Sequence, residues 1–285
     1  MKIYAGLIFA LSVFAAANAN AQFVPNQAIP YENQNARLCS KGRPESQIAG
    51  YVDAINELIL QNRRPATERN YARALEMLTP LAQSGDICSM IRFGQVLNLN
   101  GQSAAAMEWY KKASDTGSAF AQFSYAAVIR KSPDGNCDEM RSLLRKSADQ
   151  GYIHAMISLA QSYENDTLCL SHDTELAKHW YEKGAGLGSA VAQHNLGYLI
   201  LTYGPNRDNA KAWAWMSLAQ LQPIIRDHRV EYEPNFGDAY RRTLERRLGQ
   251  AGKERGLIEA RLICAQTTAC ARIEPQRLEE FLRGN

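Results

Sequence analysis

Four glycines set the frame of this chain. They close the segments PLAQSG, KKASDTG, RKSADQG and EKGAGLG at Gly85, Gly117, Gly151 and Gly188, at intervals of 32, 34 and 37 residues. Eight residues before each glycine stand Met77, Trp109, Leu143 and Trp180, followed by Leu78, Tyr110, Leu144 and Tyr181. Nine residues after it come Gly94, Ala126, Ala160 and Gly197. Large apolar and small positions therefore recur in register, and self-similarity at this period marks a stacked-repeat architecture.

The spacing within one unit is helical. Ala106, Trp109, Tyr110 and Ala113 follow one another by three, one and three residues, which places them on one buried stripe. The small positions let two helices approach closely while the large ones fill the space between units. The glycine just past the stripe suits a left-handed helix C-cap. Each unit is thus two antiparallel helices, and because a single pair cannot bury both its faces, units stack into a solenoid. Helices are expected over 46–62, 67–84, 86–98, 102–116, 118–131, 136–150, 152–164, 173–187, 189–203 and 207–221, with Pro80 kinking the second.

The segments AMEWYKKASDTGSAFAQFSYA and LAKHWYEKGAGLGSAVAQHNLGYL resemble the Sel-one-like repeats, relatives of the tetratricopeptide repeat, and AKAWAWMSLAQ at 210–220 is similar to the family's closing repeat. The resemblance covers roughly 68–221 and implies an all-α, right-handed solenoid of helix-turn-helix repeats; the helical pattern extends this solenoid to 46–221, and the changed pattern over 222–285 reads as a C-terminal helical cap. In that cap a loop is expected over 224–236, then two helices broken near Gly249 to Gly252 and a short last helix near 276–283.

Lys2, the apolar run Ile3–Ala17 and the Ala-x-Ala ending at Ala21 form the pattern of a cleaved secretory signal over 1–21. An extended lead-in over 22–45, with Pro25, Pro30 and Pro44, follows it. Export to the periplasm is the expectation, with an extracellular location as the alternative. In such a compartment the six cysteines read as disulfides. Stacked turns are expected to pair Cys137 with Cys169, Cys39 before the first helix is expected to pair with Cys88 at the start of the third, and a local clip is expected to join Cys264 to Cys270.

Chemistry is sparse. The five histidines form no His-Glu-x-x-His, and there is no Cys-x-x-Cys, Gly-x-Ser-x-Gly, Ser-x-x-Lys or phosphate loop. No catalytic residue, metal or cofactor is expected. A formal net charge of +3 in 285 residues also argues against a nucleic-acid partner. The resemblance implies a partner-binding concave face lined by the helices that follow each glycine, with Gln122, Tyr125, His154, Gln193, His194 and Tyr198 as its candidate contacts. The expected function is a non-enzymatic scaffold or adaptor for an envelope or periplasmic protein. Regulation of a sensor kinase controlling exopolysaccharide, attachment to a flagellar motor and a penicillin-binding cell-wall enzyme stand as alternatives. Six arginines between 241 and 261 read either as a solvated helix face or as a site for an acidic partner.

Overall fold

The structure is a computed structural model that describes residues 45–132, 135–165, 170–203, 208–222 and 234–284. The signal segment and the lead-in up to residue 44 lie outside the described residues. Among the described residues twelve α-helices follow one another: α1 (Glu45–Asn62), α2 (Ala72–Gln83), α3 (Ile87–Leu99), α4 (Ser103–Ser114), α5 (Ala119–Ile129), α6 (Cys137–Asp149), α7 (Ile153–Asn165), α8 (Thr174–Gly186), α9 (Ala190–Tyr203), α10 (Asn209–Leu221), α11 (Pro234–Gln266) and α12 (Pro275–Arg283). Among the described residues there is no strand. Each helix packs chiefly on its neighbours in sequence, as a solenoid requires. The expected second helix begins later than its pattern, after a single 3-10 turn at Ala66–Glu68, and it accommodates Pro80 without ending there.

The glycine turns explain the repeat. Gly85, Gly117, Gly151 and Gly188 all have φ between 83° and 89°, a conformation that costs any other L-residue roughly 1–2 kcal/mol. The amide of the following residue returns to a carbonyl five positions back: Asp86 to Leu81, Tyr152 to Ser147 and Ser189 to Gly184. This bond satisfies carbonyls left open at a helix end. The same following residue opens the next helix, because the amides of Ser89, Ala121 and Ala192 donate to the side chains of Asp86, Ser118 and Ser189. Two adjacent residues thus close one helix and start another.

Between the turns, small residues admit close contact. A Cβ added to Gly197 would lie 2.8 Å from Met216 Cγ and 2.9 Å from the Ala212 carbonyl, so α9 and α10 pack at backbone distance. One continuous apolar cluster runs from Ala82 to Ile273 through Tyr110, Tyr152, Tyr181 and Trp213.

The cap departs from this pattern. α11 is interrupted at Gly249 (φ 60°, ψ −172°), within the expected break, and the segments on either side are separate helices. Lys253 Nζ reaches back across the break to Glu245 Oε1 at 2.8 Å. The later segment lies along α10, since Gly256 faces Trp213 and the Ala210 carbonyl while Ala269 meets Gln222. Phe281 of α12 packs on Trp213 with ring centroids 5.7 Å apart. Trp213 is thereby closed off from solvent at the end of the solenoid.

Cys264 and Cys270 form the expected local disulfide, with Cα atoms 5.2 Å apart. Cys88 and Cys137 are also disulfide-bonded. Their expected partners, Cys39 and Cys169, lie outside the described residues.

Candidate functional site

The helices after each glycine, α3, α5, α7 and α9, form one row, and the register decides which side chains they present. Positions seven and ten after the glycine are Arg92 and Gln95, Ser124 and Ala127, Ser158 and Gln161, and Asn195 and Tyr198. All but Ser124 are half-buried or exposed. Positions five and eight are Met90 and Phe93, Gln122 and Tyr125, Met156 and Leu159, and Gln193 and Leu196, and of these only Phe93 is not buried. Two residues turn a side chain about 200° round a helix, so the two sets face opposite ways. The accessible strip carries amides, a hydroxyl, a guanidinium and a phenol, groups that combine apolar area with hydrogen bonding.

Of the candidate contacts, His154 and Tyr198 lie half-buried on accessible positions, whereas Gln122, Tyr125, Gln193 and His194 are buried. The buried glutamines have internal work. Gln150 Nε2 donates to Gln122 Oε1 at 2.8 Å. Gln193 is fully buried; its Nε2 donates to the carbonyls of Ala185 and Ala269, both at 3.2 Å. Its Oε1 accepts from Gln222 Nε2 at 3.3 Å, and that amide also donates to the Ala269 carbonyl at 2.6 Å. One glutamine pair therefore ties neighbouring repeats together, and the equivalent pair ties the last repeat to the cap. Burial, reinforced by the nearby Glu139 carboxylate, pushes the Tyr125 phenol pKa up. Burial holds the His194 imidazole pKa below its ordinary value, so the ring is neutral at pH 7.

Sequence reasoning overlooked Asn195 and Gln161, which the strip displays, and the spacing from the glycine was the signal that could have found them. A buried phenol organises this part of the strip. Tyr181 of α8 donates to Glu164 Oε2 at 2.9 Å and accepts from Asn195 Nδ2 at 3.3 Å, linking α7, α8 and α9. Burial and the facing carboxylate both push the Tyr181 phenol pKa up, which keeps it a donor. Near the start of α7, the rings of Phe123, Tyr152 and His154 lie 5.2–5.9 Å apart. At the far end, Tyr198 meets Tyr240 of α11 edge-on at 5.6 Å.

Among the described residues, no group of three or more His, Cys, Asp and Glu is placed to hold a metal ion. No helix there is long and apolar enough to cross a membrane.

Comparison with known proteins agrees with this geometry. The profile described as Sel1 repeat matches residues 59–86, 94–118, 153–189 and 190–219. A crystal structure of a Sel1 repeat protein from Oxalobacter formigenes superposes with a TM-score of 0.50 at 16% identity, covering 75% of this chain and 95% of that one. A protective antigen of uropathogenic Escherichia coli, described as displaying an SLR fold, aligns at 18% identity and a TM-score of 0.39, over 84% of this chain and 56% of its own. An F-box protein of Arabidopsis thaliana is 29% identical over 109 residues, 38% of this chain; the match spans 29% of the F-box protein's length. With four repeat matches and a shared helical architecture, the chain belongs to the Sel1-repeat family, whose solenoids are protein-interaction scaffolds.

Proposed function

We propose that this protein is an exported, non-enzymatic scaffold that holds a partner protein along the accessible strip of α3, α5, α7 and α9. The observation that carries the reading is the strip itself. Accessible hydrogen-bonding side chains stand at two fixed offsets on α3, α7 and α9, while α5 presents Ala127 beside a buried Ser124; the opposite faces of these helices are buried. An extended partner segment would find donors and acceptors on three of the four helices of a rigid support, so little ordering cost remains on the scaffold's side. Half-buried Phe123 and His154 near its middle and Tyr198 at its α9 end supply the apolar anchors that such surfaces need.

Export is supported by the cysteines: Cys88, Cys137, Cys264 and Cys270 are all in disulfides, and such bonds persist in oxidising compartments. A periplasmic location and an envelope partner follow from the same reading.

Affinity capture after cross-linking in intact cells tests it, with a Gln161→Ala/Tyr198→Ala variant run in parallel. The expected result is one envelope protein captured by the wild type and lost with the variant. Equal capture by both would remove the strip as the binding surface.

A further inference from the structure

Charge is distributed unevenly along the chain. Six arginines and one lysine stand against three glutamates between residues 240 and 261, a local excess of +4 where the whole chain carries +3. The remainder is therefore slightly acidic. The break at Gly249 gathers part of this excess into one place. Glu245 is held by Arg241 at 3.1 Å and by Lys253 at 2.8 Å, so one carboxylate is shared by two cations. Arg242, Thr243, Glu245, Arg246 and Lys253 line a cleft of about 660 Å³ there. Arg246 is exposed and contacts Thr243 Oγ1 at 3.4 Å. Tyr240, three residues before Thr243 on the same helical face, is the residue that packs on Tyr198. The cleft thus adjoins the far end of the accessible strip.

We propose that this cleft receives a short acidic segment of the partner protein, with neighbouring Asp or Glu side chains engaged by Arg246 and Lys253. The inference rests on the scaffold reading above and adds the partner's chemistry to it. Guanidinium and carboxylate groups match in geometry and form charge-assisted hydrogen bonds. A long uniform polyanion fits less well, because Glu245 stands inside the cleft and the rest of the chain is acidic on balance. A segment with a few carboxylates followed by neutral residues meets the cations first and then runs onto Tyr198 and the strip.

The test uses the full protein and a fluorescent peptide with several consecutive glutamates, followed by anisotropy at low and high salt. The expected result is salt-sensitive binding, absent for the all-glutamine counterpart. Arg246→Gln/Lys253→Gln should weaken it by about 5-fold or more, the loss of the peptide's contacts with one exposed and one half-buried cation. Arg246→Lys should retain most of the binding, and Arg73→Gln on α2 all of it. Equal binding by the double variant or by the glutamine peptide would overturn the proposal. So would tighter binding of heparin or of phosphatidylglycerol vesicles, which would make the cleft a general polyanion or membrane site. If the double variant still captures the cellular partner while strip variants lose it, the cleft is dismissed and the scaffold reading stands. Capture lost with the cleft variant but kept by strip variants supports the cleft and dismisses the strip.

Discussion

The repeats and the cap reach the same end, a closed apolar core, by different means. Within the repeats each junction is local: a glycine near φ 85° closes a helix, the next residue opens another, and small residues set the approach. Packing there is chiefly between elements adjacent in sequence. The cap is tied by contacts that span long stretches of chain, from Gln193 to Ala269, from Gln222 to Ala269 and from Thr268 to Gly186, where Oγ1 donates to the carbonyl at 2.8 Å. A disulfide shapes the loop that makes them. The contrast teaches that a periodic sequence can build the body of a solenoid, while its end needs individually placed polar bonds. A bare terminal helix has no next unit to cover it.

The comparison can be broken most directly in the repeats. Leu196 is fully buried in α9, and Leu196→Ala should cost about 2–5 kcal/mol, seen as a lower urea midpoint for repeats and cap together. Loss of the cap alone would show that the two regions do not share one cooperative unit. In the cap, Cys264→Ser/Cys270→Ser removes a short cross-linked loop worth about 2 kcal/mol by the chain-entropy account. It should free 264–284 to protease while α3–α9 stay protected. Global unfolding instead would mean that the cap is part of the core.

Gly117 sharpens the account of the turns. A Cβ there meets nothing within 4 Å, yet φ is 83°, so Gly117→Ala should cost about 1 kcal/mol from the backbone alone. An unchanged melting temperature would remove that explanation. The smallest effect concerns His194, where burial lowers the folded-state pKa. The unfolded chain then binds a proton first, so the stabilising difference is complete above the ordinary pKa near 6.5 and fades as pH falls below it. Stability should decline as pH falls below about 6.5, and His194→Gln should flatten that slope; an unaltered slope would locate the effect elsewhere.

The repeat frame was legible because each of its signals is local. The glycines, the Trp-Tyr and Leu-Leu pairs and the small positions report helix periodicity and turn conformation without knowledge of distant contacts. Even the break near Gly249 and the Cys264–Cys270 clip lay within reach, since both involve neighbours in sequence. The binding surface was less legible. Gln193 and His194 have side chains typical of interfaces, but composition does not say which way a residue points. A shift of two positions separates buried Gln193 from accessible Asn195.

The sequence by itself therefore determined the all-α repeat architecture, the positions of its turns and the family, because these depend on chemistry within a few residues. The tertiary structure alone decided that Gln193 holds the cap and that Asn195 lies on the accessible strip. It alone brought Lys253 to Glu245 across the bend and set the cationic cleft beside the strip. Those outcomes depend on how helices rotate and meet across long separations, where packing of the whole core selects one arrangement from many that share the same local pattern.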